Sequence, residues 1–232
     1  MEPEVPTKKL VEGFNRFRER YYKDGNGLMD KLAKDGARAD FFIVNCIDPR
    51  NGADLVFDAE PGQQFIHSRM GAIVPPYDPN KQPELNASLS YASDTMKVKH
   101  LTIVGHTQCG GVAALVSGTP DRYIEAWVKT AQEAERIAAK KVGTADSSAL
   151  HRETERQVVI MSYNNILEYP MVKKAMQEGR LTVSGWLFDM EKGTLNEYQP
   201  ETGTFKQLSA STKPSEKKPA PPFRPTPPKI AA

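Results

Sequence analysis

Only two of the 232 residues are cysteine, so no disulfide framework can hold this chain together. Charge of one sign is also missing. The 31 basic residues against 29 acidic ones leave a formal net charge of +2, which gives no electrostatic case for nucleic acid or an anionic membrane as partner. No run of residues approaches the roughly 20 apolar positions of a membrane span, and the opening "MEPEVPTKKL" lacks the apolar stretch of a secretory signal. These absences read as a soluble, cytoplasmic protein whose two thiols stay reduced and are available for metal. What is present is ordinary for a globular domain: 39% hydrophobic and 26% charged residues in a chain long enough for one sizeable core.

Residues 8–22, "KKLVEGFNRFRERYY", place Leu10, Phe14, Phe17 and Tyr21 at steps of four and three, one apolar stripe on a helix. "LMDKLA" carries the helical region to about residue 34, and residues 1–34 are expected to form an N-terminal helical arm. Residues 35–208 read as an α/β domain. "ADFFIVNC", "QQFIHS" and "HLTIVG" are short apolar strands, with a helix expected across "ELNASLSYASDTMKV". A long helix fits 121–141, another 151–167, and a short one 170–178. "RLTVSGWLFDMEKGTLNEYQ" alternates, turns at Lys192–Gly193 and alternates again, closing the sheet. Strands separated by helices argue for a mostly parallel β-sheet flanked by helices. Residues 209–232 hold seven of the eighteen prolines and little to bury. They read as a disordered tail, either plain solvated terminus or a docking segment for a partner.

The chemistry gathers at the two cysteines. Cys46 lies in "NCIDPR" directly after the apolar "FFIV", and Cys109 lies in "GHTQCGG" directly after "LTIV". In a parallel sheet, loops leaving the carboxyl ends of neighbouring strands meet at one edge. That brings Cys46, His106 and Cys109 together, two thiolates and an imidazole, a set suited to Zn2+. Three protein ligands leave a fourth position for water or substrate, the mark of a catalytic zinc. Alone, either residue would read as a buried thiol or a core histidine; the joint pattern outweighs that reading. Asp48 and Arg50 follow Cys46 closely. They form a surface turn with a solvated ion pair, or else Arg50 holds Asp48 ionised as a fourth zinc ligand or as the acceptor for a zinc-bound hydroxide. His67, His100 and His151 read as structural residues, since no spacing selects one of them for chemistry.

With these motifs, the sequence resembles the β-class carbonic anhydrases, most closely the plant-type and carboxysomal branches. The residues that carry the resemblance are Cys46, Asp48 and Arg50, the loop Gly105 to Gly111, "EPGQQFIHSRMGAIVPP", "SLSYASDTMKVKHLTIVGHTQCGG" and "GWLFDMEKGTL". The resemblance covers roughly residues 8–200. It implies zinc on Cys46, His106 and Cys109, with Asp48 and Arg50 as the catalytic dyad and Asp48 a possible fourth ligand. It implies reversible hydration of carbon dioxide to bicarbonate by zinc-bound hydroxide, and a homodimer or higher homo-oligomer with active sites near the subunit interface. Phe65 and Tyr91 match pocket-lining positions, with Gly110 behind them; plain core packing is the competing reading for both aromatics.

The match has departures. The family's glutamine nine residues before the first zinc cysteine is Ala37 here, and its "RN" with a later Asn becomes Ser68, Arg69 and Ala72. An inhibitory bicarbonate site in some members uses positions occupied here by Ile43, Ser68 and Phe188, so no such site is expected. Loss of the glutamine donor leaves two alternatives open: a hydrolase of carbonyl sulfide or carbon disulfide on the same site, or a weakly catalytic zinc-bearing domain kept for assembly.

Overall fold

The computed structural model describes residues 6–208; the proline-rich tail expected over 209–232 lies outside the described residues. The chain opens with α1 (Pro6–Tyr21) and α2 (Leu28–Asp35). The helical region is not continuous, because Asp24 and Gly25 both take positive φ and turn the chain between the two helices. Asp30 then accepts from the backbone N–H of Lys23 and of Gly27 and fixes the start of α2.

The core of the molecule is one six-stranded sheet, in the order β2-β1-β3-β4-β5-β6. Its strands are β1 (Phe41–Asn45), β2 (Gln64–Ser68), β3 (His100–His106), β4 (Thr182–Asp189), β5 (Thr194–Gln199) and β6 (Thr204–Gln207). The first four strands pair in parallel, and β5 and β6 extend the sheet antiparallel. The expected mostly parallel sheet is thus present. β6 is an addition, short and mostly polar, with no apolar run in the sequence to announce it.

The helices are α3 (Ala53–Val56), α4 (Pro83–Ser90), α5 (Gly110–Ser117), α6 (Arg122–Val128), α7 (Gln132–Val142), α8 (Ser147–Leu167) and α9 (Pro170–Gln177). Two expectations need correction. The helix after α4 widens into a π-helical turn over Tyr91–Thr95 instead of continuing as α-helix. The single helix expected over 121–141 is two, because Ala131 leaves helical geometry and Thr130 caps the carbonyl of Trp127 with its hydroxyl. α5 was not anticipated, since "GGVAALVS" has no polar face to give it a period. Among the described residues, no helix is long and apolar enough to cross a membrane.

The strands are apolar on both faces, as a covered parallel sheet requires. On one face Phe42, Val44, Leu101 and Ile103 pack with Leu85, Leu89, Ile166, Tyr169 and Val172 from α4, α8 and α9. On the other, Ile43 and Val104 meet Ala53, Phe57 and Trp186. α8 runs along the first face and crosses the sheet at two glycines. A methyl group at Gly105 would stand 2.4 Å from Val159 Cγ2, and one at Gly185 would stand 3.3 Å from Val159 and Tyr163. These glycines let α8 lie close enough to reach the loops beyond the strand ends. Gly105→Ala is expected to force helix and sheet apart at a cost of about 1–3 kcal/mol. The measurement is the thermal midpoint of the metal-free protein, expected to drop by roughly 3–10 °C; an unchanged midpoint would show that the contact is slack.

Candidate metal centre

Cys46 is the first residue after β1, and His106 is the last residue of β3, its neighbour in the sheet. The parallel register aligns Asn45 with Val104, so the two loops leave the same edge side by side. Buried amides tie the loops together there. Asn45 donates to the carbonyl of Asn51 (2.7 Å), Asn51 donates to that of Val104 (3.2 Å), and Ser68 donates to Asn45 Oδ1 (2.7 Å). The loop carrying Asp48 and Arg50 is thereby fixed to the end of β3.

The result is a cluster of Cys46, His106 and Cys109, all three buried, whose ligand atoms lie within 4.8 Å of one another. The two sulfurs are 3.9 Å apart. Two Zn–S bonds of about 2.3 Å meeting at a tetrahedral angle would put them about 3.8 Å apart. His106 Nδ1 bonds the carbonyl of Thr107 (2.8 Å), which leaves Nε2 as the free nitrogen. That atom is buried and has no hydrogen-bond partner, a costly arrangement in a folded protein unless something else meets its lone pair. Two thiols, one unpartnered imidazole nitrogen and this spacing fit a zinc ion.

The electrostatics agree. Backbone N–H groups of Asp48 (3.4 Å) and Gly71 (3.3 Å) point at Cys46 Sγ, and the Cys109 thiol is within hydrogen-bond reach of it. That thiol hydrogen bond, helped by His106 and against the pull of burial, lowers the Cys46 pKa to about 4, so Cys46 is the sulfur that ionises first. The bond to Cys46, with burial, pushes the Cys109 thiol up. Gly71 reaches the sulfur because it takes positive φ, in a turn packed so closely that a methyl group on Gly111 would meet Met70 Cγ at 2.7 Å.

Asp48 Oδ2 stands 4.0 Å from His106 Nε2, at the rim of the cluster. Arg50 holds both carboxylate oxygens, with Nε to Oδ1 at 3.0 Å and Nη2 to Oδ2 at 2.8 Å, and its backbone N–H adds a third bond at 2.9 Å. These bonds to Arg50, against a smaller opposing effect of burial, hold the Asp48 carboxyl well below the usual carboxylate range. Arg50 also donates to the carbonyl of Gln108 (3.1 Å), so one guanidinium bridges the two metal loops.

Of the residues expected to line a pocket, Gly110 adjoins the cluster and the two aromatics lie elsewhere in the chain. Phe65 and Tyr91 are together, ring centroids 6.0 Å apart and edge to face. Phe65 pairs in register with Phe42, four residues before Cys46, which is about 13 Å along a strand. It packs with the core cluster around Phe42, while the apolar surroundings of Cys46 and Cys109 are Ile73, Val112, Val158, Met70, Ile124 and Trp127. Gly110 faces open space beside Cys109. A single chain therefore does not bring the aromatic pair to the metal cluster. His67 and His100 lie away from it, stacked on Phe42 and Phe41. His151 does not: its Nε2 is 3.2 Å from the carbonyl oxygen of Cys109. Glu155, one turn further along α8, accepts from the Cys109 backbone N–H at 2.9 Å. Neither contact is readable in advance; the one available hint is a histidine and a carboxylate four apart in a helix that also carries apolar residues.

A family model for carbonic anhydrase matches residues 41–195. β carbonic anhydrase 3 of Arabidopsis thaliana is 25% identical over 211 residues, covering 88% of this chain and 81% of that protein. The structure of the β-carbonic anhydrase CcaA superposes with a TM-score of 0.79 at 22% identity, over 88% of this chain and 93% of that one. One of two tetrameric β-carbonic anhydrases from the ascomycete Sordaria macrospora superposes with a TM-score of 0.70 at 23% identity, over 86% of this chain and 95% of that one. A sheet that gathers two cysteines and a histidine at one edge, matched across most of its length, places this chain in the carbonic anhydrase family. Within that family it is of the β class, and the activity that goes with this membership is the zinc-dependent hydration of carbon dioxide.

Proposed function

We propose that Cys46, His106 and Cys109 hold the zinc ion, and that Asp48 and Arg50 are the dyad that handles the attacking oxygen during reversible hydration of carbon dioxide to bicarbonate. The observation that carries this reading is the unpartnered His106 Nε2, buried between two thiols and 4.0 Å from an Asp48 oxygen. Zinc bound there supplies Lewis-acid activation of water near neutral pH. Asp48 supplies the acceptor. Ionised, it can take a hydrogen bond but give none, so it admits an oxygen that carries a proton and turns the oxygen's lone pair away, toward the carbon. Arg50 keeps that carboxylate charged and aimed. Arg50 donates twice to Oδ1 and once to Oδ2, which leaves a lone pair on Oδ2, the oxygen nearer His106, free to accept one further hydrogen bond. Stopped-flow hydration of carbon dioxide by the zinc-loaded protein tests the reading; zinc bound with no hydration at alkaline pH would defeat it. The carbonyl sulfide, carbon disulfide and assembly-domain readings are not favoured: the relatives described above are carbonic anhydrases, and an assembly domain has no use for a clamped Asp48.

We also propose a cytoplasmic homo-oligomer. α1 exposes Leu10, Val11 and Phe14, and Tyr91 is half exposed beside Phe65, leaving apolar surface at the arm and at the aromatic pair for a second copy to cover. The Sordaria macrospora protein, described as tetrameric, supports this reading. Light scattering should give a mass at least twice the 25.8 kDa of the chain, and Leu10→Asp with Phe14→Asp should lower it; a wild-type monomer at micromolar concentration would count against it. For residues 209–232 the proposal is a docking segment for a partner, with a plain solvated terminus as the alternative.

A further inference from the structure

The loop before Cys109 is held at Gln108, whose carbonyl accepts from Arg50 at 3.1 Å and whose Nε2 donates to Glu191 at 2.8 Å. Gly110, after Cys109, faces open space, and Gln108 takes φ +58°, a left-handed conformation that disfavours a side chain. The Cys109 side chain makes no capping bond to α5, which starts at the next residue. Cys109 itself is held by the Ala113 N–H on its carbonyl at 2.9 Å and by two side chains of α8. Glu155 is buried, and a buried carboxylate costs several kcal/mol unless its partners are well placed. Its Oε1 accepts from the Cys109 N–H at 2.9 Å and lies 3.3 Å from His151 Nε2, which is itself 3.2 Å from the Cys109 carbonyl oxygen. Both polar groups of one peptide residue are thus met from a single helix, by side chains four apart. The close crossing of α8 over Gly105 carries these two side chains to the loop. Both also line a cavity of about 610 Å³, together with Thr107 and Gln108 of the same loop.

We infer that Glu155 and His151 form a clamp from α8 that holds Cys109 in the geometry its metal requires, and that both are positioning residues for the zinc centre. The inference rests on the zinc assignment proposed above. A carboxylate suits this place because one oxygen faces both the Cys109 N–H and the imidazole, while the imidazole Nε2 also stands within reach of the Cys109 carbonyl. Groups that orient ligands from behind typically govern metal affinity by about 10–100-fold.

The test is the rate at which the zinc-loaded, full-length protein releases zinc to excess chelator. Glu155→Ala and His151→Ala are each expected to speed release, the former by about 10–100-fold. Glu155→Gln keeps a carbonyl acceptor of the same reach and should restore slow release, whereas Glu155→Met, of similar length but with no oxygen there, should release zinc as fast as the alanine variant; a packing defect would be mended by both. In the metal-free protein, amide exchange at Cys109 should quicken in both alanine variants. Wild-type release from either alanine variant, or a glutamine variant as fast as the alanine one, overturns the clamp. If Glu155→Ala does not fold, His151→Ala decides alone by the same criterion. Failure of the underlying reading looks different: wild type that binds no zinc, or Cys109→Ser that keeps it tightly, removes the ligand assignment and the clamp with it.

Discussion

Replacing Cys109 by serine should leave the purified protein with little or no zinc. A serine hydroxyl is nearly isosteric with the thiol, so α5, the Gly111–Met70 contact and the bonds to α8 have no steric reason to change. What changes is the ligand. The thiolate is soft and ionises readily once a cation is beside it; the hydroxyl does neither. Zinc-site free energies of roughly 10–16 kcal/mol shared over four ligands make one thiolate worth about 3 kcal/mol, or on the order of 10²-fold in affinity. Hydration activity should fall in step with metal content, and metal analysis by mass spectrometry together with stopped-flow rates reads both. Cys46→Ser should cost at least as much, because Cys46 is the sulfur that ionises first and draws two backbone N–H groups. A Cys109→Ser protein that keeps stoichiometric zinc through dialysis against chelator would show that the sulfur is a bystander.

The strands and the meeting of Cys46, His106 and Cys109 were legible because each obeys a local rule. Apolar runs bounded by polar residues gave β1 and β3, and the cysteine just past the one and the histidine that ends the other share a sheet edge because the two strands are parallel. The break between α1 and α2 was hidden by a stripe that continues on either side of Asp24 and Gly25, and the break at Ala131 by apolar spacing that runs through it. β6 and α5 had no period to see. At the site, the missed residues share one property: they act through backbone atoms of distant segments. Asn51 bonds the carbonyl of Val104, Gly71 points an N–H at Cys46, and Glu155 takes the N–H of Cys109. No motif records such contacts, because any residue can supply a peptide group. The aromatic pair shows the converse. Phe65 and Tyr91 were named from resemblance, and their place in the chain is set by the register of β2 on β1, which puts them well back from the metal edge.

Asp48→Ala should separate metal binding from turnover. The Asp48 carboxylate is committed to Arg50 through two side-chain bonds and one backbone bond, so its removal leaves Cys46, His106 and Cys109 as they are, and zinc content should match wild type. Turnover should fall by about 10²–10⁴-fold, the range for a positioned acid–base group. The pH dependence distinguishes this role from that of a titrating base. Bonds from Arg50 lower the folded-state pKa of Asp48 below the ordinary carboxylate value of about 3.9. A group shifted that way contributes its stabilisation fully above the unfolded pKa and loses it only as pH falls through the lower, folded value. Between pH 6 and 9 Asp48 is therefore ionised throughout. The rate profile of Asp48→Ala should run parallel to that of wild type over that range, displaced downward by one constant factor. Asp48→Asn carries the argument further, because it preserves size and an oxygen acceptor but adds N–H donors and gives up the charge that Arg50 holds. If acceptor-only character is what turns the oxygen's lone pair toward carbon, the asparagine variant should be nearly as slow as the alanine one. An asparagine protein with wild-type turnover would mean that shape, and not the ionised carboxylate, is what the site requires at this position.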